Sequence, residues 1–240
     1  MYETIKNIVP RNFLKNNEPV IRKIIYAFYK GNKKQCSLCE RNLRKFISLK
    51  NGEILCPFCG SLPRHRRLWT LIKPLLIPGI QVLDFSPPLY FYKKLKSFSG
   101  IDYTATDYAG EFIADLHLDI TNINLPANSI DLILCYHILE HIPDDEKAIG
   151  ELFKILKPQG KCFIQTPFKE GEIYEDVSKQ SKEERKQYFG QEDHVRIYSI
   201  SGLKSRLENN GFKVEILSFS NEADNYFGFS QKENVLMCTK

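Results

Sequence analysis

The chain of 240 residues is 42% hydrophobic and 26% charged, as is typical of a globular protein with one Rossmann-sized domain and a small appendage. Residues 1–10 contain no apolar leader core, and no run of about 18 apolar residues occurs, so we expect a cytoplasmic protein without a membrane span. Residues 1–78 hold 16 Lys/Arg and 4 Asp/Glu, a net +12, whereas residues 79–240 hold 18 and 25, a net −7. The basic half suits an anionic partner such as RNA or a membrane surface, and a merely solvated surface explains it equally well.

The first segment, residues 1–32, is basic and has helical periodicity. Apolar residues recur at helical spacing from Val20 to Tyr29, and Gly31-Asn32 provides a stop. The pattern predicts an amphipathic helix. Such a helix could make a peripheral membrane contact through residues 1–30 or, more commonly, pack on its own protein.

Residues 33–63 contain two Cys-x-x-Cys pairs, Cys36/Cys39 and Cys56/Cys59, with 16 residues between them. Four thiolates at this spacing predict a closed tetrahedral zinc site with a structural function, in the manner of a zinc ribbon. Gly60 can supply the positive φ that such a turn often needs. The module is also too short to form an adequate apolar core without a metal.

Residues 64–240 show helical and extended patterns in alternation. Strands are predicted at Ile80–Phe85, Tyr103–Thr106, Ala114–Leu118, Ile130–Cys135, Lys161–Thr166, Phe212–Ser218 and Asn234–Thr239. Helices are predicted at Arg64–Leu76, at Pro88–Phe98, from the end of the Ile130–Cys135 strand through Leu156, and at Ser201–Asn210. This order predicts an α/β fold, a Rossmann-like, doubly wound and mostly parallel sheet with an antiparallel edge hairpin. An insertion or lid is expected at about 169–199, with the charged stretch 169–192 mobile.

Two segments carry a family resemblance: Asp131-Leu-Ile-Leu-Cys-Tyr-His-Ile-Leu-Glu-His-Ile-Pro-Asp144 and Leu152-Phe-Lys-Ile-Leu-Lys-Pro-Gln-Gly-Lys-Cys-Phe-Ile-Gln-Thr-Pro167. They resemble the fourth-strand and fifth-strand regions of class I S-adenosylmethionine-dependent methyltransferases of the type-11 kind. The resemblance covers roughly residues 79–240. The run Cys59-Gly-Ser-Leu-Pro-Arg-His-Arg-Arg-Leu-Trp69 is similar to a subgroup with a cysteine ribbon before this domain.

The resemblance implies a cofactor site at the carboxyl ends of the strands. Asp107 would accept the ribose hydroxyls, and Asp119 with Ile120 would hold the adenine. The remaining predicted contacts lie near the methionine end and the methyl group: Asp84, Phe85, Ser86, Tyr136 and His137.

One departure from the family pattern concerns the loop after the first strand. The family usually has a glycine-rich turn there, whereas this chain reads Phe85-Ser-Pro-Pro-Leu-Tyr90. Two prolines remove two N–H donors. Because the cofactor has a carboxylate and no phosphate, Ser86 and the free N–H groups of the next helix could replace them.

His137-Ile-Leu-Glu-His141 also matches the His-x-x-Glu-His pattern of inverted zinc peptidases. That function needs a distant third ligand and a different framework. The pattern directly follows a buried strand, where the methyltransferase motif belongs, so a second zinc ion is not expected here.

A cluster for the methyl acceptor is predicted from Gly190-Gln-Glu-Asp-His-Val-Arg-Ile-Tyr198, a run with a counterpart in the ribbon subgroup. We predict His194 as a base or substrate contact, Asp193 as its orienting carboxylate and Arg196 as an anion clamp, with His141 in the same catalytic set. The alternative is structural, with Asp193 capping a turn and Arg196 pairing with an acidic neighbour.

The predicted function is transfer of a methyl group from S-adenosylmethionine to an O or N nucleophile of a small-molecule or saccharide acceptor. Two alternatives stay open. One is an RNA methyltransferase that grips RNA with the basic ribbon, and the other is a non-catalytic binding protein on this fold.

Overall fold

A computed structural model describes the backbone of residues 11–220 and 225–240, and the side chains from residue 18 onward within these ranges. The chain forms two compact units. The first contains the described residues up to Leu76 and those of Phe219–Glu233, and the second contains Ile77–Ser218 and Asn234–Lys240. Residues 1–10 of the predicted basic segment lie outside the described part. No helix among the described residues is long and apolar enough to cross a membrane.

The first unit opens with helix α1, Arg11–Tyr29, which begins before the predicted Val20 and includes Pro19. Ile25 is buried with Ile47 and Leu55 of the cysteine module. A neighbouring stripe at Val20, Ile24 and Phe28 is exposed. The helix therefore packs on its own unit through one apolar face and leaves a second apolar stripe uncovered.

The cysteine module contains four short strands: β1 Lys30–Gln35, β2 Asn42–Leu43, β3 Ile47–Ser48 and β4 Ile54–Leu55. β1 pairs with β2 and β3 pairs with β4, both antiparallel. Helix α2, Pro63–Ile72, and a short 3-10 helix, Lys73–Leu75, follow where the sequence predicts a helix.

The predicted domain limit at residue 64 does not match the two units, because α2 and residues 219–233 belong with the cysteine module. The cause is the buried Arg66, whose guanidinium donates to the carbonyls of Ser61, Ile54 and Gly228. Arg67 stacks on the rings of Phe219 and Phe229.

The second unit is a seven-stranded sheet in the order β13-β14-β9-β8-β5-β6-β7. Its strands are β5 Gln81–Phe85, β6 Asp102–Asp107, β7 Leu116–His117, β8 Ile130–Tyr136, β9 Leu156–Gln165, β13 Lys213–Ser220 and β14 Lys232–Thr239. β7, β6, β5, β8 and β9 pair in parallel, and β14 pairs antiparallel with β9. The predicted fold class is thereby confirmed, with the two terminal strands adjacent at one edge.

The helices of this unit are α3 Leu89–Lys96, α4 Asp145–Ile155, α5 Lys182–Phe189 and α6 Ile200–Asn209. A 3-10 helix, Leu139–His141, fills part of the region predicted as continuous helix up to Leu156. The core contains the apolar faces of the central strands and of α4 and α6, together with Cys135, Cys162 and Cys238. These three thiols are buried, as expected of small apolar side chains.

The charged stretch 169–192, predicted as a mobile insertion or lid, contains regular secondary structure that the sequence analysis did not assign. Three short strands, β10 Phe168–Lys169, β11 Tyr174–Glu175 and β12 Arg196–Ser199, form a small sheet in the order β10-β12-β11. α5 starts with a capping box between Ser181 and Glu184 and ends at Gly190, which has φ +91°. Both signals are standard helix boundaries.

Candidate functional site

The four cysteine sulfurs of the first unit converge. One Sγ from each of Cys36, Cys39, Cys56 and Cys59 lies within 4.8 Å of the others. Cys36 Sγ is 3.7 Å from Cys59 Sγ, and Cys39 Sγ is 3.7 Å from Cys56 Sγ. Zinc–sulfur bonds of about 2.3 Å place tetrahedral sulfurs roughly 3.8 Å apart, so the cluster has the dimensions of a zinc site.

The two cysteine pairs sit on equivalent turns. Glu40 N–H donates to Cys36 O, and Gly60 N–H donates to Cys56 O. Both turns need a left-handed residue, which is Glu40 at φ 60° and Gly60 at φ 79°. The predicted positive φ of Gly60 is confirmed. The hydroxyl of the buried Ser61 lies 3.3 Å from Cys36 Sγ, which suits a donor to a metal-bound thiolate.

The protonation of the four thiols is uneven in the absence of a cation. Hydrogen bonds from Cys39, Cys56 and Cys59 lower the pKa of Cys36. Burial raises the pKa of Cys59, and the hydrogen bond with Cys36 raises that of Cys39. A divalent cation would supply the positive charge that four neighbouring thiolates require.

In the second unit, the predicted cofactor residues lie along the carboxyl edge of the parallel strands. Phe85 pairs with Thr106 across β5 and β6, and Tyr136 pairs with Gln165 across β8 and β9. β5 and β8 are adjacent in the sheet. The strand order continues from β5 to β6 and β7 on one side, and from β8 to β9 on the other. Ligands of such sheets bind at this switch point.

Ser86 occupies the position of the missing glycine. Its φ is +49°, in the left-handed region that glycine adopts easily and serine does not. Its N–H donates to Thr106 O at 2.7 Å, and its hydroxyl donates to Asp107 Oδ1 at 2.7 Å. The serine therefore makes the sharp turn and also joins the ends of β5 and β6.

Asp107 is buried at the end of β6, where the sequence predicts a ribose ligand. Oδ2 accepts the N–H of Glu111 at 2.8 Å and the N–H of Phe112 at 3.4 Å, in addition to the Ser86 hydroxyl on Oδ1. A carboxylate offers about four lone-pair sites, so these three bonds leave acceptor capacity for about one further hydroxyl, on Oδ1.

Asp84 is buried one residue before the end of β5 and accepts the hydroxyl of Tyr103 at 2.9 Å. Burial raises the pKa of this carboxyl to about 8. Of the other predicted contacts, Phe85 and Ile120 belong to the apolar core. Asp119 is half-buried and accepts the N–H and hydroxyl of Thr121, each at 2.8 Å.

His137 follows β8 directly and is also left-handed, with φ +57°. Its N–H donates to Gln165 O at 2.7 Å, which fixes the turn onto the end of β9. Nδ1 lies 3.2 Å from Oε1 of Glu140, a side chain only 1% exposed. The neighbouring Tyr136 is half-buried at the end of β8.

Three members of the predicted catalytic set come together beside this turn. Nδ1 of His141 lies 3.2 Å from Oδ2 of Asp193, and the rings of His141 and His194 meet edge to face at 4.7 Å. His194 is 4% exposed, and burial lowers its pKa. The N–H of Val195 donates to Glu140 O at 2.9 Å, which anchors the approaching chain.

Arg196 does not present its guanidinium to an acceptor, which corrects the predicted anion clamp. It donates to Glu175 at 2.8 Å and to the carbonyls of Leu139, Ile142 and Pro143, and it pairs with Asp145. These contacts bind the C-terminal end of the Leu139–His141 turn. The alternative of pairing with an acidic neighbour holds, but at a buried position instead of the surface.

Three polar residues near the carboxyl ends of β8 and β9 were not predicted from the sequence as site residues. Glu140, Gln165 and Thr166 each carry a buried oxygen that has no hydrogen-bond partner among the described residues. Glu140 was present in the His-x-x-Glu-His pattern, which was the available signal. Gln165 and Thr166 have no motif of their own, and only the register of β8 and β9 reveals them.

The sheet order and the polar carboxyl edge define a class I methyltransferase fold. A family model described as methyltransferase domain matches residues 68–217. The chain belongs to this family of methyltransferase domains, in agreement with the enzyme class that the sequence predicts.

Individual relatives agree with this assignment. A ubiquinone biosynthesis O-methyltransferase of Xanthomonas axonopodis pv. citri is 34% identical over 91 residues, which cover 37% of this chain and 34% of that protein. The chain thus matches about a third of the length of that relative.

Two solved structures show the same fold. A SAM-dependent methyltransferase from Archaeoglobus fulgidus has a TM-score of 0.52 and 16% identity, with 75% of this chain and 95% of that chain covered. A phosphoethanolamine-type N-methyltransferase of Haemonchus contortus has a TM-score of 0.53 and 16% identity, covering 73% and 52%.

Proposed function

We propose that the chain methylates an oxygen or nitrogen nucleophile of a small-molecule or saccharide acceptor. The observation that carries this proposal is the group of buried oxygens of Glu140, Gln165 and Thr166 near the carboxyl ends of β8 and β9, which have no hydrogen-bond partner among the described residues. Buried polar atoms cost free energy unless a ligand satisfies them. Relatives named ubiquinone biosynthesis O-methyltransferases support an oxygen acceptor.

The cofactor side of the site consists of Asp84, Ser86, Asp107, Asp119 and His137. When bound, S-adenosylmethionine supplies an electrophilic methyl group on a sulfonium. Asp107 would hold a ribose hydroxyl with its remaining acceptor site on Oδ1. The left-handed turns at Ser86 and His137 bring backbone close to the ligand at the switch point.

The acceptor side of the proposed site is formed by His141, Asp193 and His194. Because a methyl transfer is mainly a matter of alignment, these groups would position the nucleophile against the cofactor. Arg196 acts indirectly in this proposal. It holds the 3-10 turn in place through three carbonyls, so that Glu140 and His141 face His194.

We also propose that Cys36, Cys39, Cys56 and Cys59 hold one structural zinc ion. The donor set, the 3.7 Å sulfur separations and the matching turns support it. Four thiolates leave no open coordination position, so this ion would stabilise the first unit and take no part in the chemistry.

Calorimetry with S-adenosylhomocysteine tests the cofactor site. The Asp107→Ala variant should lose roughly 1–3 kcal/mol of binding free energy, because a ribose hydroxyl loses its charged acceptor. Asp102→Ala is the matched control, since Asp102 is exposed at the opposite end of the same strand. Absent binding by the wild-type chain, or equal affinities of the two folded variants, would contradict the proposed site.

Methyl transfer itself is tested with radiolabelled cofactor and a panel of hydroxylated aromatic compounds, amines and saccharides. We expect turnover with an oxygen or nitrogen acceptor, and loss of that turnover in a His194→Ala variant that still binds S-adenosylhomocysteine. Labelling of RNA alone would replace the proposal with the RNA alternative.

A further inference from the structure

Glu140, His141 and His194 form a compact cluster at the carboxyl end of β8. One ligand atom from each residue lies within 4.8 Å of the other two. Glu140 is 1% exposed and His194 is 4% exposed. Nδ1 of His137 lies 3.2 Å from Oε1 of Glu140, whereas Oε2 has no hydrogen-bond partner among the described residues. A buried carboxylate oxygen in this state is costly unless a cation or a hydrogen-bond donor compensates it.

The outer contacts of the cluster orient its ligand atoms. His141 directs Nδ1 to Asp193, and His194 places Nδ1 3.3 Å from the carbonyl of Phe189. Nε2 of His194 and Oε2 of Glu140 have no hydrogen-bond partner within the described ranges. A histidine that binds a metal through one nitrogen commonly anchors the other on a carboxylate or carbonyl in this way.

We propose that Glu140, His141 and His194 bind one divalent transition-metal ion, and that this ion holds an oxygen of the methyl acceptor. Two imidazoles and one carboxylate suit zinc, iron or cobalt better than magnesium or calcium, which prefer oxygen ligands only. Three protein ligands leave coordination positions open for the acceptor.

The arrangement differs from the peptidase scheme suggested by His137-Ile-Leu-Glu-His141. That scheme needs His137 and His141 on one face of an α-helix. His137 has φ +57°, and only a 3-10 helix, Leu139–His141, follows. The third group instead comes from His194, which the Val195–Glu140 backbone bond brings to the turn.

The acceptor part of this inference rests on the proposed methyl transfer. Coordination lowers the pKa of a bound hydroxyl, which then releases its proton to solvent more easily. The ion would thereby supply an oxygen nucleophile without a separate histidine base. Acceptors with hydroxyl oxygen donors are accordingly favoured over simple amines.

The test uses the full chain with its four-cysteine cluster loaded with zinc, titrated with Co²⁺. Cobalt binds more weakly than zinc to a given site, so it should enter the open cluster and leave the four cysteines occupied. We expect one equivalent of Co²⁺ with visible bands of nitrogen and oxygen coordination and no thiolate charge-transfer bands.

Glu140→Gln and His194→Ala should each weaken Co²⁺ binding by at least about 100-fold, since each removes a direct ligand, whereas Asp193→Asn should weaken it about 10-fold. His117→Ala, an exposed histidine of the same unit, is the control and should bind as wild type.

Wild-type chain that binds no Co²⁺, or wild-type affinity in both Glu140→Gln and His194→Ala, would overturn the metal site. S-adenosylhomocysteine binding is measured on the same samples. Cofactor binding without Co²⁺ binding rejects the ion and leaves the proposed methyl transfer intact. Co²⁺ binding without cofactor binding supports the ion and rejects its function with a methyl acceptor.

Discussion

Substitution of Arg196 can show whether this arginine stabilises the second unit through its hydrogen bonds to backbone carbonyls or through its charge alone. Its buried guanidinium bonds the carbonyls of Leu139, Ile142 and Pro143 as well as the carboxylate of Glu175. Lysine at this position keeps the charge but cannot reproduce the planar arrangement of five N–H donors. Leu139 O keeps the N–H of Ile142 and the hydroxyl of Tyr198 as donors, whereas the carbonyls of Ile142 and Pro143 would lose theirs. Each buried carbonyl left unpaired costs about 1 kcal/mol or more, so Arg196→Lys should cost roughly 2 kcal/mol.

Arg206 is the matched control because it pairs with the same two carboxylates. It donates to Asp145 at 2.6 Å and Glu175 at 2.5 Å, and its side chain is more exposed. No backbone carbonyl appears among the bonds of its guanidinium in the described part of the chain. Arg206→Lys should therefore cost only about 1 kcal/mol, as expected for a partly exposed pair.

Hydrogen exchange of peptides from the second unit is the appropriate assay, since a global unfolding signal would mix the two units. The amides of His141 and Val195 report the turn and the chain docked on it. At about 1.4 kcal/mol per factor of ten, Arg196→Lys should speed their exchange roughly 30-fold and Arg206→Lys about 5-fold. Equal effects of the two variants would refute the carbonyl argument.

Three further predictions concern metal, pH and packing. Cys36→Ser should lose the zinc ion and lower the melting temperature of the first unit, while Cys162→Ala keeps the metal content; elemental analysis with calorimetric melting decides this. Burial raises the pKa of Asp84 from 3.8 to about 8, so the folded chain retains a proton that the unfolded chain releases. Stability should then fall as pH rises from about 4 to about 8, and Asp84→Asn should flatten that slope in urea unfolding. Gly228→Ala should destabilise the first unit more than Gly52→Ala in thermal melts. Both glycines have a positive φ, but only a methyl group at position 228 would collide with the ring of Phe46.

The four-cysteine cluster and the sheet were predictable because local spacing encodes them. Cys36 to Cys59 form two short turns whose ligands are close in sequence, and the central strands are apolar runs separated by helices. The positive φ of Gly60 follows from its residue type. By contrast, Glu40 takes the equivalent conformation in the first turn without any sequence signal.

The predictions that failed depend on contacts between distant segments. The guanidinium of Arg196 is bound by carbonyls of a turn more than fifty residues earlier in the chain, and no local sequence pattern reveals these partners. Residues 219–233 join the first unit because Arg66 binds the carbonyl of Gly228. The insertion is a different case, since Ser181, Glu184 and Gly190 were readable helix boundaries that the high charge of the stretch obscured.

The two strained turns of the second unit explain why its switch point differs from a glycine-rich one. A glycine at position 86 or 137 would adopt the observed φ without the roughly 1–2 kcal/mol that a side chain costs there. It would also remove the hydroxyl that joins Asp107 to β5 and the imidazole that faces Glu140. The strain is therefore coupled to two side chains that orient the carboxylates on either side of the switch point. In the proposed site this arrangement would align Asp107 for the cofactor and Glu140 for the acceptor, so a serine in place of the glycine at position 86 is compatible with the proposed methyl transfer.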